Sequence, residues 1–486
     1  MNKTHRCSGP LRPPAPAPLD APLGPIASLR AMRRNALETY TKAHFEMPVL
    51  TGPSILGPTA VINDPAAIRR VLVDNSANYC KDSLQKRLLG PSLRDGLLEA
   101  EGSDWRFQRR TLAPLLTPKT VSAFAQAVND SAETFVRRME RQCGQTVDIQ
   151  TEMARVTLEV LGRTIFSDGL GRGVDEVASA MSRLLATVGR PDPLDILGLP
   201  DWLPRLTRLA ARPAESFFAS LVDTLIARRR RLLARDPSAV PQDILTLLLE
   251  ARDPQTGAGL SKKQIEANIR TFIAAGHETT ANALTWSLFL LSLSDEWREI
   301  VAEEADEVLS GPVEDYAARL VAARAVIEES MRLYPPAPSM SRQALGPDEL
   351  AGKRIRKGTL ILIVQWVLHR HRGLWEEPDC FDPRRFLPGP REKIDRYVYL
   401  PFGAGPRVCI GASFSMQEAV IILAHIARAF TFELKKGHKI MPVQRITLRP
   451  KDGMPMIVRR REPSRSPALP RSGIIRSVSS SPQKSG

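Results

Sequence analysis

Along most of the chain, hydrophobic residues recur every three or four positions and charged residues fill the intervals. This spacing gathers apolar side chains on one face of an α-helix, so the pattern predicts a mainly helical protein. The predicted helices cover residues 26–45, 105–115, 119–140, 149–166, 213–234, 243–252, 261–293, 295–309, 319–334 and 412–428.

Strand patterns are short and cluster in a few places. VLTGPSILGPTAVI follows Pro48, KRIRKGTLILIVQWVLH begins at Lys353, and a weaker pair lies within 429–458. We expect these runs of β-branched residues to meet in one small sheet. The resulting fold class is mainly α with a small β lobe.

Composition divides the chain into a folded body and two tails. Residues 1–25 are rich in proline and are predicted to be flexible, and residues 26–458 contain no linker-like interruption and are predicted to form one large domain. Residues 459–486 are basic and rich in serine, proline and arginine, which predicts disorder.

Net charge and cysteine content bear on the partners and the cellular compartment of the protein. The net charge of +15 favours an acidic partner, but no nucleic-acid-binding motif accompanies it, so a solvated arginine-rich surface is the preferred interpretation. The five cysteines have no CxxC spacing, and the longest apolar stretch, Ala283–Leu293, is too short to span a membrane. These features predict a soluble cytoplasmic protein without a stable nucleic-acid or membrane partner.

The segment from Ser261 predicts a long central helix with an unusual middle. Ser261 and Gln264 form a capping box, but the sequence AAGHETTA places Gly276, Glu278 and Thr279 within an apolar run. The threonine could bond back to its own helix, as threonines often do. A glycine that weakens the helix beside an acid and an alcohol instead indicates space for a ligand.

A second pattern is Glu329 and Arg332, three residues apart on one predicted helix face, where an ion pair forms easily. The proline-punctuated stretch WEEPDCFDPRRFLPG from Trp375 shows no periodicity and is predicted to be an ordered meander. It could bring Arg384 or Arg385 to the carboxylate of Glu329.

The stretch PFGAGPRVCIG, residues 401–411, surrounds Cys409 with glycines and leads directly into a predicted helix. Glycines let backbone amides approach the sulfur, and a helix N-terminus stabilises negative charge, so we expect an anionic sulfur. Such a sulfur serves as a nucleophile or as a metal ligand. Arg407 is well placed to bind the propionates if the metal is a haem iron.

This stretch resembles the haem-binding loop of the cytochrome P-450 family, F-G-x-G-x-R-x-C-x-G. AGHETT, EESMR, FDPRRF and the WRFQR of Trp105–Arg109 resemble four further motifs of the family, in family order. The resemblance implies the cytochrome P-450 fold, with haem between the long central helix and the cysteine-loop helix and with 26–458 as the catalytic domain. Arg384 departs from the glutamate usual in the meander and is interpreted as a surface charge swap, because Glu329, Arg332 and Arg385 complete the family's structural triad.

The resemblance also implies roles for single residues. Cys409 would be the axial ligand of the iron of haem b, and Phe402 would shield the sulfur. Gly276 would open the groove that receives O2, while Glu278 and Thr279 would relay protons during oxygen activation. The residues implied to hold the propionates are Trp105, Arg109, Arg342 and Arg407.

The implied function is a monooxygenase that inserts one oxygen atom from O2 into a hydrophobic organic substrate by hydroxylation or epoxidation. Electrons from NAD(P)H would arrive through a ferredoxin or flavodoxin and its reductase, with the acidic donor docking on a basic proximal face. The predicted pocket segments are residues 83–98, 184–200, Ile269–Ala275 and Pro336–Met340. Two alternatives stay open: a peroxygenase, isomerase or dehydratase, and a non-enzymatic haem sensor.

Overall fold

The computed structural model describes residues 10–462, apart from 55–56, 84, 88–94, 168–172, 174–175, 178, 182–191 and 197–203. Among these residues, α-helices predominate. They are α1 (Pro25–Asn35), α2 (Pro65–Arg69), α3 (Gly102–Leu112), α4 (Pro118–Ser122), α5 (Ala125–Glu140), α6 (Ile149–Phe166), α7 (Pro193–Ile196), α8 (Leu206–Arg235), α9 (Ile244–Glu250), α10 (Lys262–Leu293), α11 (Asp295–Val308), α12 (Tyr316–Arg319), α13 (Val321–Leu333), α14 (Gln365–Leu368) and α15 (Ala412–Ala429). Within the described ranges, none of these helices has the length and hydrophobicity of a membrane span.

The strands are short. They are β1 (Val49–Ser54), β2 (Gly57–Ile62), β3 (Tyr79–Cys80), β4 (Thr146–Asp148), β5 (Met340–Ala344), β6 (Asp348–Leu350), β7 (Lys353–Ile355), β8 (Leu360–Ile363), β9 (Phe430–Leu434), β10 (Pro442–Gln444), β11 (Leu448–Pro450) and β12 (Pro455–Arg460). The predicted fold class, mainly α with a small β component, is confirmed.

The strands do not form the one sheet that the sequence predicted. A five-stranded sheet in the order β1-β2-β8-β5-β3 joins the first two strand regions, with β2 parallel to β8 and Thr59 paired with Leu360. The region 429–458 is separate, because β9 and β12 pair with each other and β12 also pairs with β4. Strand β4 has only three residues, too few for a recognisable alternation.

Helix α8 begins earlier than predicted. The spacing of apolar residues predicted a helix over residues 213–234. The observed helix begins at Leu206 and contains Pro213 in its interior. Ala211, Ala214 and Phe218 are buried on both sides of the proline, and this packing keeps the helix continuous.

Helix α10 matches its prediction closely. The Ser261 side chain accepts a hydrogen bond from the Gln264 amide, and the Gln264 side chain accepts one from the Ser261 amide at 2.9 Å. This capping box satisfies backbone donors that the first turn leaves unpaired. The second half of the helix is buried among α6, α13 and α15.

A fully buried ion pair joins α13 to the meander. Arg332 donates to both carboxylate oxygens of Glu329, at 2.7 and 2.8 Å, and neither side chain is exposed to solvent. Glu329 also accepts from the amide of Asp382 at 2.8 Å, and Arg385 lies 3.8 Å away. Arg332 further donates to the carbonyls of His369, Pro378 and Cys380.

Arg384 lies outside this cluster. Its guanidinium is 2.5 Å from Glu296 and the side chain is about half exposed. The position agrees with the prediction of a surface charge swap that leaves the buried cluster complete.

The folded part of the chain extends beyond the predicted domain, residues 26–458, at both ends. The carbonyl of Leu11 accepts from the Phe381 amide and that of Pro14 from the Tyr334 hydroxyl, each at 2.8 Å, so the segment expected to be flexible contacts the body from residue 10 onward. Strand β12 continues to Arg460, two residues into the predicted tail. The rest of that tail, 463–486, lies outside the described residues.

Replacing Arg332 with methionine is expected to lower the free energy of unfolding by about 3–5 kcal/mol, because it leaves the buried carboxylate of Glu329 without its partner. Urea denaturation measures this loss. Arg459→Met is the control, since it removes an exposed partner of Glu433 and should leave stability nearly unchanged. Equal losses in the two variants would contradict the prediction.

Candidate active site

The loop before α15 is a tight turn built around two glycines. The Cys409 amide donates to the Phe402 carbonyl at 2.9 Å and closes the turn. Gly403 and Gly405 have φ angles of 73° and 72°, which side chains other than hydrogen rarely permit. A Cβ atom on Gly405 would lie 2.1 Å from the Leu72 carbonyl oxygen, so both conformation and space require glycine there.

Cys409 is exposed and precedes α15 by three residues. Burial among the surrounding protein atoms raises the pKa of its thiol, while the Gly411 amide and the Arg109 guanidinium lower it. Without a metal, the net direction of the thiol pKa is upward. The anionic sulfur expected from the sequence stays a prediction. Metal binding favours the deprotonated thiol and would supply the missing stabilisation.

Arg109 approaches the loop from α3. Its guanidinium donates to the Val408 carbonyl at 2.9 Å, directly before the cysteine, and is close enough to influence the Cys409 pKa. Burial lowers the pKa of Arg109 itself, and the sulfur raises it. Arg109 therefore holds the backbone of the cysteine loop as well as placing a positive charge near the sulfur.

Arg407 and Trp105 lie against each other. The Arg407 guanidinium stands over the Trp105 ring at 4.3 Å from its centroid, and pairs with the Glu101 carboxylate at 2.6 Å. It also donates to the Ala100 carbonyl at 3.2 Å. The sequence prediction that Trp105 and Arg407 belong to one site agrees with this contact.

Arg342 and Lys81 complete a group of cations around Arg407. Burial lowers the pKa of Arg342, and repulsion from Arg407 lowers it further. Burial and the same arginine lower the pKa of Lys81 to about 8. Lys81 belongs to no motif and was missed by the sequence analysis, because nothing in its local sequence distinguishes it from a surface lysine.

The middle of α10 opens at one point. Ala275 is exposed although Ile273 and His277 are buried, and the Thr279 hydroxyl donates to the Ala275 carbonyl at 2.7 Å. This is the backbone bond that the sequence left open as the structural alternative for the threonine. It holds the hydroxyl in a defined position beside the opening.

Glu278 turns toward β11. Burial raises the pKa of its carboxyl group, while a hydrogen bond with Thr447 and the charge of Arg449 lower it. Neither Thr447 nor Arg449 was foreseen, because they lie about 170 residues further along the chain, just before and within a short strand. The Glu278 carboxyl group, one residue before Thr279, therefore has two polar partners, Thr447 and Arg449.

Gly276 packs against a neighbouring helix. A Cβ atom there would lie 3.2 Å from a methyl group of Leu161 on α6, so the glycine permits close approach of α6 and α10. The role beside O2 implied for Gly276 stays a prediction.

One hydrogen bond joins the two helices that would enclose a haem. The Thr280 hydroxyl on α10 lies 3.0 Å from the Ser415 hydroxyl in the first turn of α15. The residue after Thr279 is therefore in contact with the helix that Cys409 precedes.

The predicted pocket segments are described only in part. Residues 84, 88–94, 184–191 and 197–200 lie outside the described ranges. At the end of Pro336–Met340, the Met340 methyl group lies 3.5 Å from the Cβ position of Gly403. This segment therefore reaches the cysteine loop.

The donor set fits a haem with a sulfur ligand. An accessible thiol stands just before a helix, and the cationic side chains of Lys81, Arg342 and Arg407 suit the carboxylates that haem carries. The exposed Ala275 offers space in an otherwise buried helix. Such an arrangement defines the class of haem-thiolate proteins.

Comparison with known proteins agrees with a haem-thiolate site. The family model described as Cytochrome P450 matches residues 13–456. The chain is 32% identical to cyclooctatin synthase of Streptomyces melanosporofaciens, covering 89% of this chain and 93% of that protein, and 33% identical to cyclooctat-9-en-7-ol 5-monooxygenase of the same organism, covering 75% and 78%. The crystal structure of the cytochrome P450DA heme domain superposes with a TM-score of 0.78 at 25% identity, covering 93% of this chain and 99% of that one.

The chain belongs to the cytochrome P450 family. It is accordingly a monooxygenase, an oxidoreductase that uses haem iron and O2. The fold, the family and the class of enzyme predicted from the sequence are confirmed.

Gly405→Ala is expected to lower the melting temperature and the haem content, because the new methyl group would overlap the Leu72 carbonyl. Thermal unfolding and Soret absorbance per protein measure the two effects. Gly389→Ala is the matched control: its φ is also positive, at 90°, but nothing lies within 4 Å of its Cβ position. If both variants behave alike, backbone strain alone explains the loss and the contact with Leu72 is unimportant.

Proposed function

We propose that this enzyme hydroxylates or epoxidises a hydrophobic organic substrate with electrons delivered by a separate ferredoxin or flavodoxin system. In a hydroxylation, one oxygen atom of O2 enters a carbon–hydrogen bond and the other leaves as water, and two electrons and two protons are consumed. The observation that supports this best is the contact between the two halves of the site. The Thr280–Ser415 hydrogen bond brings the Glu278–Thr279 pair next to the helix that Cys409 precedes.

On the sulfur side, Cys409 is the proposed iron ligand and Phe402 closes the turn that presents it. When bound, the haem supplies the iron that activates O2, with electron density donated by the sulfur. Arg407, Arg342, Arg109 and Trp105 are the proposed residues around the propionates. Lys81 joins them, since its ammonium group lies within the same cationic group.

On the oxygen side, Thr279 and Glu278 are the proposed proton-transfer residues. The Thr279 hydroxyl is oriented by its bond to Ala275, and Glu278 has a raised pKa, so it accepts and releases protons closer to neutral pH than an exposed glutamate does. Arg449 and Thr447 limit the rise in the pKa of this carboxyl group, because both favour its ionised form.

The electron donor is proposed to be acidic. The chain carries a net charge of +15, and Arg106 is exposed on α3, the helix that also carries Trp105 and Arg109. A negatively charged ferredoxin or flavodoxin would be attracted to this side of the site. Electrons from NAD(P)H would reach the enzyme only through this donor and the reductase that supplies it.

The substrate is proposed to be largely apolar. This proposal is supported by three accessible apolar side chains. They are Phe272 and Ala275, in the Ile269–Ala275 segment, and Met340. By its name, one relative oxidises an alkenol, cyclooctat-9-en-7-ol. A cytoplasmic site of action fits the free thiols of Cys80, Cys143, Cys380 and Cys409 in the described residues.

Cys409→Ser is expected to abolish the thiolate-type Soret band of the reduced carbon monoxide complex, because a hydroxyl group does not replace a thiolate as an electron-donating ligand. The measurement is a difference spectrum of the purified protein. Cys143→Ser, which changes another free thiol, should leave the band intact. A normal band in Cys409→Ser would refute the proposed ligand.

Thr279→Ala is expected to keep the haem and the carbon monoxide spectrum but to lower product formed per NAD(P)H roughly tenfold, with hydrogen peroxide rising in its place. The loss is smaller than the full contribution of a positioned proton donor because Glu278 remains. Thr285→Ala is the control, since Thr285 makes the same backbone bond one and a half turns further along α10, to Ala281 at 2.7 Å. Equal product yields in Thr279→Ala and wild type would remove the proposed role.

A further inference from the structure

Residues 95–101, here called the anchor segment, lie directly against α10. A Cβ atom on Gly96 would be 2.6 Å from the Thr271 hydroxyl oxygen and 3.0 Å from the Ala267 carbonyl oxygen. The next residue, Leu97, donates its amide to the side-chain oxygen of Asn268 at 2.9 Å. The anchor segment is therefore in close contact with α10 and is hydrogen bonded to it.

Asn268 passes this contact on to a second buried amide. Its Nδ2 donates to Oε1 of Gln108 on α3 at 2.8 Å and to the Gln264 carbonyl at 2.8 Å. Gln108 in turn donates to the Asp95 carbonyl at 3.0 Å and to Asp104 at 2.9 Å. Asn268 and Gln108 are both fully buried, and each uses its oxygen and its nitrogen.

A buried polar network of this kind favours one geometry, because any displacement leaves a desolvated donor or acceptor without a partner. Here the network joins three elements: the anchor segment, α3 and α10. Their relative positions are therefore fixed together rather than separately.

The far end of the anchor segment reaches the cationic group of the site. The Lys81 ammonium group donates to the carbonyls of Leu98 and Ala100, and the carboxylate of Glu101 accepts from the Lys81 backbone amide and from the Arg407 guanidinium. Helix α3 follows at once. The anchor segment, which begins with residues 95–98 of the predicted pocket segment, thus leads to the residues around the cysteine loop.

We propose that Asn268 and Gln108 are positioning residues that pin the anchor segment to α10 and so fix the pocket wall in front of the haem site. The inference rests on the proposed function insofar as it treats residues 95–98 as part of the wall of a pocket for an apolar ligand. Neither residue touches the reacting atoms. They act through the backbone of residues 95–97.

A purely structural contribution is separable from this role. Asn129 is also buried and also uses its amide fully, with Glu133 at 3.1 Å and His425 at 2.8 Å, but it lies on α5. Asn129→Leu therefore removes a comparable buried amide elsewhere. It is the matched control for Asn268→Leu and Gln108→Leu.

The experiment compares two ligands of the haem iron in the purified holoenzyme, imidazole and the larger 4-phenylimidazole, by their Soret shifts. In Asn268→Leu and Gln108→Leu, 4-phenylimidazole is expected to bind about tenfold more weakly while imidazole binds as in wild type, because only the larger ligand needs an ordered pocket wall. The double variant should lose little more than either single variant, since both remove the same network. Asn129→Leu should leave the ratio of the two affinities unchanged.

Hydrogen–deuterium exchange gives a second readout that does not depend on ligand binding. Peptides covering 95–101 are expected to exchange faster in Asn268→Leu and Gln108→Leu but not in Asn129→Leu. Unchanged exchange there, or an equal fall of both azole affinities in all three variants, would overturn the proposal. Failure of the proposed function is seen separately, as a wild-type protein without the thiolate-type carbon monoxide band.

Discussion

The structure depends first on the burial of one positive charge. Arg332 has no contact with water, so each of its N–H groups needs a protein acceptor, and these acceptors come from Glu329 and from three carbonyls of the following chain. One of those carbonyls belongs to His369, whose Nε2 accepts from the Leu400 amide at 2.9 Å. Leu400 immediately precedes the loop that carries Cys409. The hydrogen bonds of the buried Arg332 guanidinium therefore connect, through His369, to the loop that positions the sulfur.

A second electrostatic constraint shapes the site itself. Burial lowers the pKa values of Lys81, Arg342 and Arg407, and repulsion from Arg407 lowers those of Lys81 and Arg342 further. Glu101 offsets part of this effect through its ion pair with Arg407. An anionic ligand among the same cations would offset more, and this is why the group suits the carboxylates of a haem better than it suits an apolar neighbour.

The sequence predicted the features that are local in the chain. The glycines of the cysteine loop, the capping box at Ser261 and the three-residue spacing of Glu329 and Arg332 are all set within a few residues. It failed where partners are far apart: Lys81 with Arg342, Glu278 with Thr447, and Asn268 with Gln108 have no periodicity that joins them. It also left out the burial that opposes ionisation of the Cys409 thiol, because helix position is readable from sequence but burial is not.

Helix α10 carries three features of the candidate site in succession. Asn268 fixes the pocket wall, Ala275 and Thr279 form the opening, and Thr280 contacts α15. Because one continuous helix makes all of these contacts, a displacement of α10 along its axis would move them together. The close packing at Gly276 against Leu161 prevents such a shift sideways. The proposed pocket wall, the proposed proton donors and the helix that Cys409 precedes are therefore all in contact with α10, and selectivity and oxygen chemistry are expected to change together when this helix is displaced.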